Sequence, residues 1–111
     1  MRKMNVTVIV ERPLGSFHPK HKEIFYTVNY GYIEGIIAGD GEEQDAYILG
    51  VDTPIERFNG EVIAIIRRLD DVEDKWVVAP KGVRFGKEEI LQKVHFQEKF
   101  FQVEVVMTAD E

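Results

Sequence analysis

The chain is 111 residues long, carries a formal net charge of −6 and contains no cysteine. That length suits one domain over residues 1–111, and the missing thiols exclude a disulfide framework, a thiolate metal site and a cysteine nucleophile. An acidic surface repels nucleic acids and phosphate ligands unless cations reverse the sign locally, and no run approaches the roughly 20 apolar residues that a membrane helix needs.

Val6, Val8 and Val10 alternate with Thr7 and Ile9 and read as a first strand, ending near Glu11. Arg12-Pro13-Leu14-Gly15-Ser16 breaks it, and a basic loop runs through His18-Pro19-Lys20-His21-Lys22. A second strand is expected from Ile24 to Asn29 and a third from Tyr30 to Ala38, with Gly31 and Gly35 as bend or bulge points. Gly39-Asp40-Gly41 is a turn, and Asp45 to Val51 is again strand-like. Asp52-Thr53-Pro54 and Asn59-Gly60 punctuate the next connection. Glu61 to Leu69 is rich in β-branched residues, Asp70-Asp71-Val72-Glu73-Asp74 is a tight acidic turn, and Lys75 to Ala79 completes a hairpin that Pro80 ends. Only Lys87 to Val94 prefers helix, with apolar residues at 90, 91 and 94. Phe100 to Met107 fits strand or helix, with Phe101, Val103 and Val105 favouring strand. Several short strands with one small helix predict a closed or partly closed β-barrel.

Four constellations carry chemistry. Asp40-Gly41-Glu42-Glu43-Gln44-Asp45 places carboxylates on a bent loop, and Mg²⁺ takes hard oxygen ligands, usually one or two carboxylates with waters and substrate phosphates. Taken alone, such a loop is most simply a solvated acidic turn. The turn Asp70 to Lys75 adds further carboxylates and a lysine able to cancel phosphoryl charge, and two metal ions could bind if both turns met. Tyr26 and the run Asn29-Tyr30-Gly31-Tyr32-Ile33 suit barrel packing, with hydroxyls available at a rim. The loop His18 to Lys22 reads as a solvated basic loop, with anion or metal binding as the sharper option. There is no Gly-x-x-x-x-Gly-Lys phosphate loop, no Gly-x-Gly-x-x-Gly and no Gly-x-Ser-x-Gly.

Three ordered motifs together resemble the soluble, family I inorganic pyrophosphatases. Phe25-Tyr26-Thr27-Val28-Asn29-Tyr30-Gly31-Tyr32-Ile33 is similar to the run that precedes that family's metal loop. The family's Asp-x-Asp-Pro-x-Asp signature appears as Asp40-Gly41-Glu42-Glu43-Gln44-Asp45, and its second acidic segment as Leu69 to Pro80. Val8-Ile9-Val10-Glu11-Arg12-Pro13 resembles its opening strand. The resemblance implies a mainly β fold, an OB-like five-stranded barrel with one short C-terminal helix. It implies cytoplasmic, Mg²⁺-dependent hydrolysis of pyrophosphate or a related small phosphoanhydride to phosphate, without nucleic-acid or membrane partners. Self-assembly into a homo-oligomer, common in that family, is left open by the sequence.

By the same resemblance, Asp40, Asp45, Asp70 and Asp74 hold the metal. Glu42, Tyr30 and Lys75 serve the chemistry, and Glu11, Lys20, Tyr26 and Lys75 contact the substrate. The sequence departs from the family at Glu43, where a proline stands in the signature, and at Phe100-Phe101, where a Tyr-Lys pair would fall. The family's phosphate-binding arginine has no clear match. These departures support an alternative, a barrel of the same fold that binds metal, nucleotide or a protein partner with little turnover. An OB-type nucleic-acid binder is the third reading, which the acidic charge opposes.

Overall fold

The computed structural model describes residues 4–71 and 73–108. Its elements are β1 (Met4–Arg12), β2 (Asn29–Ile37), β3 (Glu43–Ile48), β4 (Arg57–Arg68), β5 (Asp74–Ala79), α1 (Lys87–Glu98) and β6 (Val103–Met107). The strands follow the order β1-β2-β3-β5-β4, and β1 pairs back on β4 to close a barrel. All neighbours are antiparallel except β3 and β5. β4 is long enough for two partners along one edge. Its first half pairs with β1 (Ile9 opposite Arg57, Met4 opposite Val62), and its second half pairs with β6 (Met107 opposite Ala64, Val103 opposite Arg68). Closure leaves few unpaired edge groups to template association with another chain. No helix among the described residues is long and apolar enough to cross a membrane.

Alternation along the strands sorts the apolar side chains into two clusters. Val6, Val8, Ile33, Ala46, Ile48, Val62 and Val78 come from all the barrel strands and fill the closed interior. Tyr30, Tyr47, Leu49, Ile66, Val77 and Ala79 lie on the opposite strand face, which Ile90 and Val94 of α1 cover. The helix starts with Glu88 and Glu89 in its first turn, where carboxylates complement the dipole. The Glu89 carboxylate also accepts the Gly86 N–H at 3.2 Å.

Glycines permit two close approaches. A Cβ on Gly31 would sit 1.9 Å from the Ile9 carbonyl oxygen, and one on Gly60 would sit 2.6 Å from that of Ala79. The predicted irregularity at Gly31 and Gly35 is present. The β1–β2 register shifts between Val10 and Arg12, where Val10 faces Gly31, and the β2–β3 register shifts between Tyr32 and Ile37.

Other expectations need correction. Ile24 to Asn29 is not a second strand, although Ile24, Tyr26 and Val28 alternate as buried residues with exposed Phe25 and Thr27. The segment bonds mainly to its own loop, with Tyr26 N–H donating to Ser16 and His18 N–H donating to Ile24, around a single Phe17–Phe25 bridge. Asn59-Gly60 is not a turn but lies near the start of β4, where the glycine serves packing against β5. The helix runs four residues beyond Val94 to Glu98, and the chain continues into β6 after it.

Candidate functional site

Polar side chains interrupt the helix-covered face at one end of the strands. Asp45 precedes Tyr47 and Leu49 at a spacing of two, Lys75 precedes Val77 and Ala79, and Arg68 follows Ala64 and Ile66. Each therefore points to the side of the sheet that carries Tyr30 and Tyr47. Arg12 reaches the same side through the bulge. Regular alternation would align it with Val6, Val8 and Val10, but the extra residue, Glu11, flips the register so that Arg12 faces Tyr30. Its guanidinium lies 5.7 Å from the centroids of both the Tyr26 and Tyr30 rings.

These residues border a cleft of about 480 Å³. Arg12, Arg68 and Lys75 line it with Asp45 and Tyr30, the loop supplies His18 and His21, and Phe100 and Phe101 stand after the helix. Lys75 Nζ lies 2.6 Å from Asp45 Oδ2 and 2.8 Å from Glu73 Oε1, with its side chain only 4% exposed. Burial lowers the lysine pKa, but Tyr30, Asp45 and Glu73 outweigh it and hold the group well above its ordinary value. Burial likewise raises the Tyr30 phenol, against the opposing charge of Lys75. Near neutral pH Lys75 is thus an ammonium and Tyr30 a neutral donor, so neither accepts a proton.

Arg68 is held from behind. Its Nε donates to Glu98 Oε1 at 3.0 Å and its Nη2 to Oε2 at 2.8 Å, a forked pair with side chains 6% and 2% exposed. The guanidinium carbon lies 3.7 Å from the Phe101 ring centroid. Burial alone would lower the arginine pKa, yet Glu98 more than offsets it and the group stays charged. Glu98 Oε2 also accepts the Tyr47 hydroxyl at 2.5 Å, and Tyr47 accepts Gln97 Nε2 at 2.7 Å. Gln97 Oε1 in turn accepts the Tyr26 hydroxyl, which accepts Arg12 Nη1 at 2.8 Å. One chain of hydrogen bonds thus runs from Arg68 through the last turn of α1 to Arg12. Among the described residues no carboxylate forms an ion pair with Arg12, and no buried side-chain polar atom lacks a partner.

A smaller cavity of about 110 Å³ adjoins on the acidic-loop side, lined by Asp40, Glu43, Glu73 and Asp74. Asp45 lines both cavities. The Asp40 carboxylate also accepts the Glu42 N–H at 3.0 Å, which shapes the turn. Carboxylate oxygens are the donor chemistry that Mg²⁺ takes. Among the described residues no three His, Asp or Glu side chains converge to hold an ion by themselves. This donor set therefore fits Mg²⁺ only where water and substrate oxygens complete the coordination, as is usual for that ion.

The residues singled out from the sequence separate into groups. Tyr30, Asp45, Lys75 and Glu11 border the cleft, and Asp40 and Asp74 border the smaller cavity. Tyr26 is fully buried behind the cleft, where its hydroxyl joins Arg12 to Gln97. Glu42 is exposed and lines neither cavity, and the same holds for Lys20, whose backbone N–H caps His18 Nδ1 at 3.0 Å. Asp70 is also outside both, its carboxylate accepting the Gln102 N–H at 3.3 Å.

Sequence reasoning missed Arg12, Arg68, Glu73, Gln97 and Glu98. Signals existed for three of them. Arg68 sits on the buried parity of β4, and Gln97 and Glu98 continue the Ile90–Val94 helix face by three and four residues.

No protein-family model matches the chain, and no curated protein matches its sequence. Solved structures do match. The inorganic pyrophosphatase from Ehrlichia chaffeensis superposes with a TM-score of 0.68 at 18% identity, over 90% of this chain and 83% of that one. The inorganic pyrophosphatase from Neisseria gonorrhoeae gives 0.61 at 22% identity, over 85% and 70%. That from Coxiella burnetii gives 0.62 at 14% identity, over 94% and 85%. The mainly β barrel with its helix is thus the inorganic pyrophosphatase fold.

Proposed function

We propose that this chain binds pyrophosphate or a related phosphoanhydride in the Arg12–Arg68–Lys75 cleft and hydrolyses it with Mg²⁺. The observation that carries the reading is the convergence of three cations beside Asp45, in the inorganic pyrophosphatase fold, on a chain whose net charge is −6. A highly charged anion enters such a chain only where cations are concentrated. Arg12 has no acid partner among the described residues, so it offers its donors without first breaking an ion pair. Arg68, which lines the cleft, is fixed in place by Glu98 before the ligand arrives, with only the longer contacts of Nη1 to Asp71 at 3.9 Å and Glu73 at 4.0 Å to give way. Lys75 neutralises a phosphoryl oxygen when its contact with Asp45 or Glu73 loosens.

Asp40 and Asp74, with Asp45 at the shared wall, would hold Mg²⁺. A bound ion would supply Lewis-acid stabilisation of charge on the phosphoryl oxygens. Asp45 lines the cleft with Glu11 and Glu23, is the one of the three that also lines the smaller cavity, and can take a proton from an attacking water. Glu42, to which the resemblance assigns that role, stays exposed outside the cleft. The reading puts the protein in the cytoplasm, in keeping with its lack of cysteine.

The test is phosphate release from pyrophosphate by purified protein across a Mg²⁺ series, beside Asp45→Ala and Arg12→Ala. Metal-dependent release that both substitutions abolish supports the proposal. Background release from all three proteins refutes turnover. One observation favours a second reading, binding without turnover. Lys75 already bridges Asp45 and Glu73, so one positive charge offsets part of the charge on these two carboxylates before any metal arrives. Pyrophosphate binding by calorimetry without phosphate release would establish that alternative.

A further inference from the structure

We infer that the ligand of this cleft carries an aromatic base beside its phosphates, as a nucleoside diphosphate does. The inference rests on the anion-binding reading above and specifies its ligand. At about 480 Å³ the cleft lies within the roughly 300–1,000 Å³ of sites that enclose drug-sized organic molecules. Two phosphoryl groups sharing one bridging oxygen occupy a small part of such a space.

The cleft is also chemically mixed. Arg12, Arg68 and Lys75 offer positive charge beside the carboxylates of Glu11, Glu23 and Asp45, and Phe100 and Phe101 add aromatic surface to the same lining. Arg68 covers a face of Phe101, so that ring is already in use. Phe100 differs. It is 54% exposed although it borders a cavity, and its closest cation is the Lys99 ammonium, 5.4 Å from its ring centroid. No stacked or edge-on contact between Phe100 and another ring occurs among the described residues. An inorganic phosphate gains nothing from that ring, while a purine or pyrimidine stacks on it.

The geometry connects the cations to the rings. Arg68 lines the anion end and also lies against Phe101, the direct chain neighbour of Phe100. A ligand with phosphates on the cations therefore has Phe100 within reach of its organic end. The His18 and His21 rings, 4.9 Å apart, border the same cleft and give the base further aromatic surface.

Titration calorimetry with adenosine diphosphate, pyrophosphate and tripolyphosphate tests this, using the wild-type chain, Phe100→Ser and Phe100→Tyr. Phe100 is exposed, so both variants should fold, and a thermal melt checks that they do. The expected result is tighter binding of adenosine diphosphate than of either inorganic anion. Phe100→Ser should cost adenosine diphosphate about 5- to 150-fold more affinity than it costs pyrophosphate, the range of one lost base stack. Phe100→Tyr should restore the difference. Pyrophosphate binding as tightly as the nucleotide, or Phe100→Ser weakening both alike, overturns the inference and leaves the pyrophosphate reading in place. Failure of all three anions to bind overturns both.

Discussion

Replacing Glu98 with glutamine tests the energetics of the site most directly. The substitution keeps the size of the side chain and removes its charge. Arg68 then remains 6% exposed with its nearest carboxylates at 3.9 Å (Asp71) and 4.0 Å (Glu73), both on side chains that are 34% exposed. Removing one partner of a buried ion pair costs about 3–5 kcal/mol, because the other charge is left uncompensated. The two distant, screened acids together return about 1 kcal/mol, so a net loss of about 2–4 kcal/mol is expected. At about 4 °C per kcal/mol for a domain of this size, Tm falls by roughly 8–16 °C. Urea unfolding gives the same quantity as a lower midpoint at constant slope. The double variant Arg68→Met, Glu98→Gln should recover part of the loss, since it removes the stranded charge and keeps an acceptor for the Tyr47 hydroxyl. A Glu98→Gln protein within about 0.5 kcal/mol of wild type would refute the reasoning. So would a double variant no more stable than the single one.

Further outcomes follow from the same contacts. Gly31→Ala should destabilise by more than about 4 kcal/mol or prevent folding, because its Cβ would lie 1.9 Å from backbone that cannot move aside; denaturant titration or soluble yield reads this. Asp45→Asn should separate stability from function. It loses about 1 kcal/mol or less, since Asp45 is 35% exposed and Lys75 keeps Glu73, while phosphate release falls about 10²–10⁴-fold in a Mg²⁺-dependent assay. Arg12→Gln should weaken pyrophosphate binding about 10- to 100-fold by calorimetry, the size of one charge-assisted contact. His18 should titrate below its usual 6.5 in an NMR pH series, because partial removal from water and then the Arg12 charge both disfavour the imidazolium. Its Nδ1 also accepts two backbone N–H groups, at 3.0 and 3.2 Å. Since the unfolded chain binds that proton more readily, the contribution of His18 to stability is complete above 6.5. It declines as pH falls through the lower folded-state value. A His18 pKa above 6.5 would contradict this.

Much of the fold was legible locally. Alternation marked β1, apolar and β-branched runs marked β2, β3, β4 and β5, and helix-forming composition marked the start of α1. Two errors share one cause. Ile24 to Val28 alternates as a strand does, but alternation reports burial and not pairing, and this segment bonds mainly to its own loop. Asn59-Gly60 carries turn residues, but the glycine answers to the close approach of the neighbouring strand β5. At the site, Asp45, Lys75 and Tyr30 were legible because their motifs are contiguous. Glu73 was overlooked in favour of Asp74, and only its distance to Lys75 distinguishes the two.

The sequence by itself determined a mainly β chain, an acidic loop at Asp40 to Asp45 and, for any phosphate ligand, the need for local cations on a surface of charge −6. Tertiary structure decided which cations those are. Arg12 faces Tyr30 because a bulge at Glu11 reverses its side, a choice made jointly by β1 and the close approach at Gly31. Arg68 stays charged while buried because Glu98, 30 residues later, arrives on the last turn of α1. Lys75 meets Asp45 across another 30 residues through the parallel pairing of β3 with β5. Local pattern encodes which face a side chain takes. Only barrel closure and strand register bring distant charges within bonding distance, where removal from water makes each depend on its partner.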